Sequence, residues 1–207
     1  MNLSDNDRKI FLSRSNIPSE YHEGWFDTID TNYIKLDRLE TIAKLAKKQK
    51  WLSFIGSDAG VGKTLLACRS LEMAWRHSDR TIQKPVGIKN VIERRSPELY
   101  KFFDVREIVM ALGQAGINYE VKMSEYTGLR GIVLDELGCE DKIHRNGKEL
   151  IKHLIWQMGI KNRMVIITSA IPTTQEFADQ YGGGLVSRIQ HRGNFMLLSG
   201  EDYRLKD

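Results

Sequence analysis

Apolar residues fall along this chain in short runs separated by longer stripes of helical period. The runs are Leu52 to Ile55, Tyr100 to Val105, Ile132 to Leu134, the MVIITSA stretch at 164–170 and NFMLLS at 194–199. Short, mostly apolar runs of this kind predict strands covered on both faces, as in a parallel sheet. The stripes lie between them. Leu36, Leu39, Ile42 and Ala46 make one face of a predicted helix over 34–50. A second helix is predicted from Leu65 to about His77, and a third over 106–116, ending at Gly113 or Gly116. Leu150, Ile151, Leu154, Ile155 and Met158 stripe a fourth over 147–161, and LVSRIQHR at 185–192 is a short fifth, after Gly182 to Gly184 break a helix. Strands alternating with helices predict an α/β domain around a parallel sheet.

Two stretches lack such a pattern. Residues 1–33 show little periodicity and are expected to form an irregular arm, packing Tyr21, Trp25 and Phe26 against the domain. Residues 78–98 are polar, with Pro85, Gly87 and Pro97, and read as an excursion with room for a short strand or helix.

Composition narrows the class. A length of 207 residues suits one domain, and 41% hydrophobic content supports a core. Lys and Arg number 31 against 27 Asp and Glu, a net +4 that permits nucleic-acid contact without demanding it. Arg76, Arg80, Lys84, Lys89, Arg94 and Arg95 make the most basic stretch and are the first candidates to touch DNA or a partner. Lys44, Lys47, Lys48 and Lys50 suit the solvated end of a helix, with backbone contact to nucleic acid as the alternative. The only cysteines, Cys68 and Cys139, make no C-x-x-C pair, which speaks against a disulfide framework or a zinc site. No apolar run approaches the ~18 residues of a membrane span. The polar MNLSDNDRKIF start is unlike a signal peptide, so a cytoplasmic location without membrane contact is expected.

Candidate chemistry concentrates after the first apolar run. WLSFIGSDAGVGKT places Gly56, Gly60 and Gly62 just before Lys63 and Thr64, with a helix following. Strand, glycine-rich loop, Lys-Thr and helix is the context of a phosphate-binding loop. Backbone N–H groups turned inward, together with the helix N-terminus, hold a polyphosphate. Ser57, Asp58, Ala59, Gly60, Val61, Gly62, Lys63, Thr64 and Leu65 are the expected nucleotide contacts. Lys63 would reach the β- and γ-phosphates, and the Thr64 hydroxyl would ligate Mg²⁺. Ser57 stands where the pattern has its first glycine, with Gly56 one residue early.

A second motif follows roughly 70 residues later, in RGIVLDELG at 130–138. Asp135 and Glu136 end a buried strand, at the edge where open α/β sheets bind ligands. Asp135 is expected to hold Mg²⁺ through its water shell, and Glu136 to orient and polarise an attacking water. Thr168 and Ser169 end the next strand and are placed to sense the γ-phosphate. Arg188, Arg192 and Arg204 are candidates to stabilise transition-state charge, from the same or a neighbouring subunit. His153 falls off its helix stripe and is expected to face solvent.

Taken in order, these features resemble the AAA+ ATPases of the DnaC/IstB type, bacterial helicase loaders and their transposition relatives. The likeness runs from about Asn16 to Arg204: SNIPSEYHEGWFDTID is similar to the lead-in, GSDAGVGKTLLA to Walker A and IVLDELG to Walker B. VIITSAIP resembles the sensor strand, with Ala170 in place of asparagine, and GGGLVSRI with GEDYRLK resembles the arginine-bearing end.

The resemblance implies an AAA+ P-loop NTPase with a five-stranded parallel sheet in the order 5-1-4-3-2, helices on both faces and no C-terminal lid domain. It implies an arm over 1–33, for partner docking, and an ATPase domain over 34–207. It implies ATP and Mg²⁺ as ligands, slow partner-stimulated hydrolysis and self-association through ATP at subunit interfaces. Glu136, Lys63 and Arg188 would be catalytic, with Arg188 reaching the next subunit's γ-phosphate and Arg204 contacting nucleotide. The implied partners are a replicative DNA helicase, or alternatively a transposase, and single- or double-stranded DNA. A nucleotide-binding module with little turnover is a third reading, motivated by Ser57 and Ala170.

Overall fold

The computed structural model describes residues 4–24, 26–29, 34–78, 80–82, 91–93 and 96–202. In chain order the strands are β1 (Trp51–Ile55), β2 (Arg80–Ile82), β3 (Val91–Glu93), β4 (Tyr100–Asp104), β5 (Gly131–Leu137), β6 (Met164–Ser169) and β7 (Gly193–Leu197). The α-helices are α1 (Asp5–Arg14), α2 (Leu36–Lys47), α3 (Lys63–Arg76), α4 (Val105–Gly113), α5 (Tyr119–Gly128), α6 (Gly147–Ile160), α7 (Thr174–Tyr181) and α8 (Gly183–Arg192).

The main sheet is five-stranded and parallel, in the order β4-β5-β6-β1-β7. Numbering these strands in chain order gives 5-1-4-3-2, as expected. The central strands β1 and β6 are buried along their whole length, which is why their sequence shows no polar alternation. Their side chains still alternate between two cores. Leu52, Phe54, Val133 and Ile166 face a cluster with α1, α2 and α3, whereas Ile55, Ile132, Leu134 and Ile167 face α4, α6, α7 and α8.

The excursion holds a two-stranded antiparallel hairpin, β2 with β3. Residues 5–14 are helical, contrary to the irregular arm expected there. A capping box starts α1: the Ser4 hydroxyl accepts from the Asp7 N–H, and the Asp7 carboxylate accepts from the Ser4 N–H. Only Phe11 and Leu12 of this helix are buried, too few and too close together to show a period. Phe11 stacks on Trp75 of α3 with ring centroids 4.5 Å apart. Arg8 pairs with Glu72 at 2.7 Å, and Arg69 joins the same carboxylate at 3.3 Å. Phe26 is buried and Tyr21 packs against the same core, while Trp25 lies outside the described residues.

Three further differences have physical causes. Helix α5 carries no sequence stripe because it buries only Met123, Tyr126 and Thr127. Gly182, at φ 88°, ends α7, but Gly183 and Gly184 already belong to α8. His153 is half-buried between helices rather than solvent-facing, its Nδ1 2.8 Å from the Tyr119 hydroxyl and its Nε2 3.1 Å from Gln157.

Candidate nucleotide-binding site

The loop between β1 and α3 lies at the end of the sheet where the parallel strands finish. Gly56 shows why its glycine stands one position early. Its φ is +152°, and a Cβ there would overlap the backbone carbonyl of Leu198, just after β7. Ser57 is exposed and donates to the Asp58 carboxylate at 3.1 Å, so a side chain at that position is accommodated. Gly62 precedes α3 with φ +83° and provides no side-chain cap. The first N–H groups of α3 therefore face the loop without an intrahelical acceptor, a standing anion site. Lys63 folds back over the loop, donating to the carbonyls of Gly56 at 2.8 Å and Asp58 at 2.7 Å. The segment after β7 closes on the same loop: the Gly200 N–H donates to Asp58 at 3.1 Å, and the Asp202 carboxylate rests against Gly60.

Beneath the loop runs a chain of polar contacts. Asp135 Oδ1 accepts from the Thr64 hydroxyl at 3.0 Å and from the Thr168 hydroxyl at 2.6 Å. Thr168 Oγ1 in turn accepts the Glu136 N–H at 3.0 Å. Asp135 is only 9% exposed. Burial raises its pKa, the Glu136 and Asp104 charges add to this, and the bonds from Thr168 and Thr64 oppose it. A cation would relieve a carboxylate so placed. A hydroxyl beside a carboxylate is the hard oxygen set that suits Mg²⁺, which takes its remaining ligands from water and phosphate. Among the described residues no three or more His, Cys, Asp or Glu side chains gather into a metal cluster.

Ser169, next in β6, points elsewhere. It is 1% exposed, donates to the Leu137 carbonyl at 2.6 Å and accepts from the Ile171 N–H at 3.2 Å. Of the two polar residues ending this strand, Thr168 joins the site and Ser169 ties the strand ends together.

Glu136 has an exposed side chain and a left-handed backbone, φ +61°. Its carboxylate pairs with Arg106 at 2.9 Å. Arg106 also grips Asp104, the N-cap of α4, whose Cα pairs with that of Asp135 across the sheet. Burial pushes the Asp104 pKa up, but the hydrogen bonds and charge of Arg106 outweigh it and hold the carboxyl below its usual range. Tyr21, from the arm, is part-buried, and burial raises its pKa.

Sequence reasoning singled out the loop, Asp135, Glu136 and Thr168, and the structure gathers them within one site. It missed Asp104, Arg106 and Asp202. An Asp before a helix, as at 104, was the one available cap signal; nothing local marked the other two. Arg188 lies away from this site: its guanidinium sits 3.5 Å over the Trp156 ring, against Gly159 and close to Trp51 at the start of β1. Arg192 donates to Asn162 at 3.0 Å. Arg204, Lys84, Lys89, Arg94 and Arg95 lie outside the described residues, as does the side chain of Arg80.

Solved structures share this architecture. A DnaC helicase loader superimposes with a TM-score of 0.65 at 20% identity, covering 88% of this chain and 100% of that one. The fold is an AAA+ fold of the DnaC type. DnaI follows the same AAA+ fold with a TM-score of 0.60 at 13% identity, over 89% of this chain and 96% of that one. AMPPCP-bound DnaA from Aquifex aeolicus gives 0.62 at 14% identity; the match takes 90% of this chain but 52% of that protein. No family model matches the sequence, and no curated protein matches it. At these identities the likeness is one of fold. Among the described residues no helix is long and apolar enough to cross a membrane.

Proposed function

We propose that the chain is an Mg²⁺-dependent ATPase that acts in the cytoplasm as an ATP-switched assembly factor of DNA replication, loading a replicative helicase on single-stranded DNA. The observation that carries the nucleotide chemistry is the Thr64–Asp135–Thr168 hydrogen-bond chain beneath a phosphate loop. The likeness of fold to a DnaC helicase loader and to DnaI supports the replication setting.

In this reading the loop N–H groups hold the β- and γ-phosphates, and Lys63 leaves the carbonyls of Gly56 and Asp58 to meet them. Thr64 Oγ1 and Asp135 would hold Mg²⁺, and the chemistry such an ion would supply there is neutralisation of charge on the phosphate oxygens. Glu136 accepts a proton from the water that attacks the γ-phosphate, after release from Arg106. Thr168 keeps Asp135 and the Glu136 backbone in register. Arg188 faces away from its own loop, which supports a role at the next subunit's γ-phosphate and self-association through ATP. Helix α1 is anchored on α3 and leaves Lys9 and Ile10 exposed, which supports partner docking by residues 1–33.

Lys63→Ala should abolish binding of a fluorescent ATP analogue; unchanged affinity would sink the site assignment. The partner is tested by affinity capture from host extract with Glu136→Gln, ATP and Mg²⁺. A replicative helicase supports loading. Recovery of a transposase, or of duplex DNA alone, replaces that reading with a transposition helper.

A further inference from the structure

One fully buried carboxylate has no part in the chemistry above. Glu140 is 0% exposed, and among the described residues no cation pairs with it. A carboxylate kept in such a place must be held by hydrogen bonds. Its Oε1 and Oε2 both accept the Gly138 N–H, at 3.2 and 3.1 Å, and Oε1 also accepts the Tyr181 hydroxyl at 2.6 Å. Tyr181 is itself 1% exposed, and burial and the Glu140 charge push its pKa far up, so it stays a donor. Gly147, opening α6, packs so closely on Glu140 that a Cβ there would overlap its carbonyl.

The position of this network gives it a task. Strand β5 pairs regularly with β6 up to Leu134↔Ile167, then breaks register and resumes at Leu137↔Ser169. Asp135 and Glu136 lie in that irregularity, and Glu136 takes the left-handed φ of +61°. Irregularities of this kind re-aim a side chain next to a site. The entry is fixed by Thr168, through the Glu136 N–H. The exit is fixed at Leu137 by Ser169 and at Gly138 by Glu140. Gly138 has φ +123°, so the chain turns there and the carboxylate holds the turn. Through Tyr181 the same carboxylate is tied to α7, the helix that follows β6.

We propose that Glu140 is a positioning residue: with Tyr181 it clamps the exit of the β5 irregularity and so sets the direction of the Glu136 carboxylate. Movement of α7 would then be transmitted to Glu136 without altering the phosphate loop. This rests on Glu136 being the water-orienting group, and the test separates the two claims.

Full-length wild type, Tyr181→Phe, Glu140→Gln, Glu140→Ala, Glu136→Gln and the double variant Glu136→Gln/Tyr181→Phe are compared by phosphate release, by affinity for a fluorescent ATP analogue and by thermal melting. Tyr181→Phe removes one oxygen from a buried pair and keeps the ring. Its kcat should fall on the order of ten- to a hundredfold, the scale of a small misplacement of a catalytic group, with analogue affinity within about twofold. Glu140→Gln keeps an oxygen acceptor for both donors and should retain more activity than Glu140→Ala. The double variant should turn over no more slowly than Glu136→Gln alone, because both changes act on one group. Normal kcat in Tyr181→Phe, or a multiplicative loss in the double variant, overturns the positioning role. Normal turnover in Glu136→Gln overturns the functional reading on which it stands.

Discussion

Replacing Thr168 by valine tests the polar chain beneath the glycine-rich loop. The swap keeps the branched shape but removes the 2.6 Å bond to Asp135 and the 3.0 Å bond from the Glu136 N–H. Asp135 would keep only its bond from Thr64, in a place 9% exposed to water. A hydrogen bond to a charged group contributes about 1.5–3 kcal/mol, and a part-buried N–H left unpaired costs about 1 kcal/mol more. The variant should therefore be less stable by about 2–4 kcal/mol at neutral pH. The pH dependence identifies the cause. Burial raises the Asp135 pKa above its ordinary 3.8, and the Thr168 hydrogen bond opposes that rise. A carboxyl with a higher pKa folded than unfolded binds more protons when folded. Its penalty is absent below the unfolded pKa and grows as pH rises through the folded one. Losing the hydroxyl lifts the folded pKa further. The stability difference from wild type should thus be fullest above that pKa and shrink as pH falls into the ordinary carboxylate range. Urea unfolding at a series of pH values reads this directly. A difference that is flat with pH, or below about 0.5 kcal/mol throughout, would refute the assignment of Thr168 as the partner of an ionised Asp135.

Other parts of the structure can be tested as directly. Phe11→Ala should cost about 3–5 kcal/mol, because the ring is wholly buried against Trp75; a urea midpoint close to wild type would place α1 outside the core. Arg106→Ala should cost no more than about 1 kcal/mol, since the Arg106 and Glu136 side chains are exposed and Asp104 keeps its bond from the backbone N–H at 106, yet should raise basal phosphate release by freeing Glu136. Unchanged or lower turnover would show that this pair does not restrain the carboxylate. Arg188→Ala should leave ATP affinity of the monomer intact, alter Trp156 fluorescence and abolish ATP-dependent assembly by light scattering. Intact assembly would leave Arg188 as a partner of Trp156 alone.

Much of this site is legible along the chain because its parts are local. A phosphate loop needs glycines, lysine and threonine within a few residues, since backbone amides and a helix N-terminus do the binding. Asp135 and Glu136 are legible for a similar reason: an unbroken apolar run marks a buried strand, and polar residues at its end must emerge at a sheet edge. The order of the strands was legible only through the family resemblance, because nothing in an apolar run names its neighbour.

The remaining features depend on contacts between distant segments. Thr168 and Ser169 are both polar residues ending the same strand, and the period of two sends them to opposite faces. Which face meets Asp135 is set by pairing with β5, and the break in that pairing after Leu134 has no mark in the sequence. Nothing local marks Glu140 as buried; Tyr181, 41 residues away, encloses it. His153 reads as exposed until α5, a helix without a stripe, supplies Tyr119. Helix α1 had a capping box to start it but only Phe11 and Leu12 to bury, and it is held by Trp75 and Glu72 across more than sixty residues. Backbone chemistry and the burial of a continuous run can be written within a short segment. The pairing of a charge, the satisfaction of a buried polar atom and the aim of a side chain each require a partner that arrives only when the sheet is assembled.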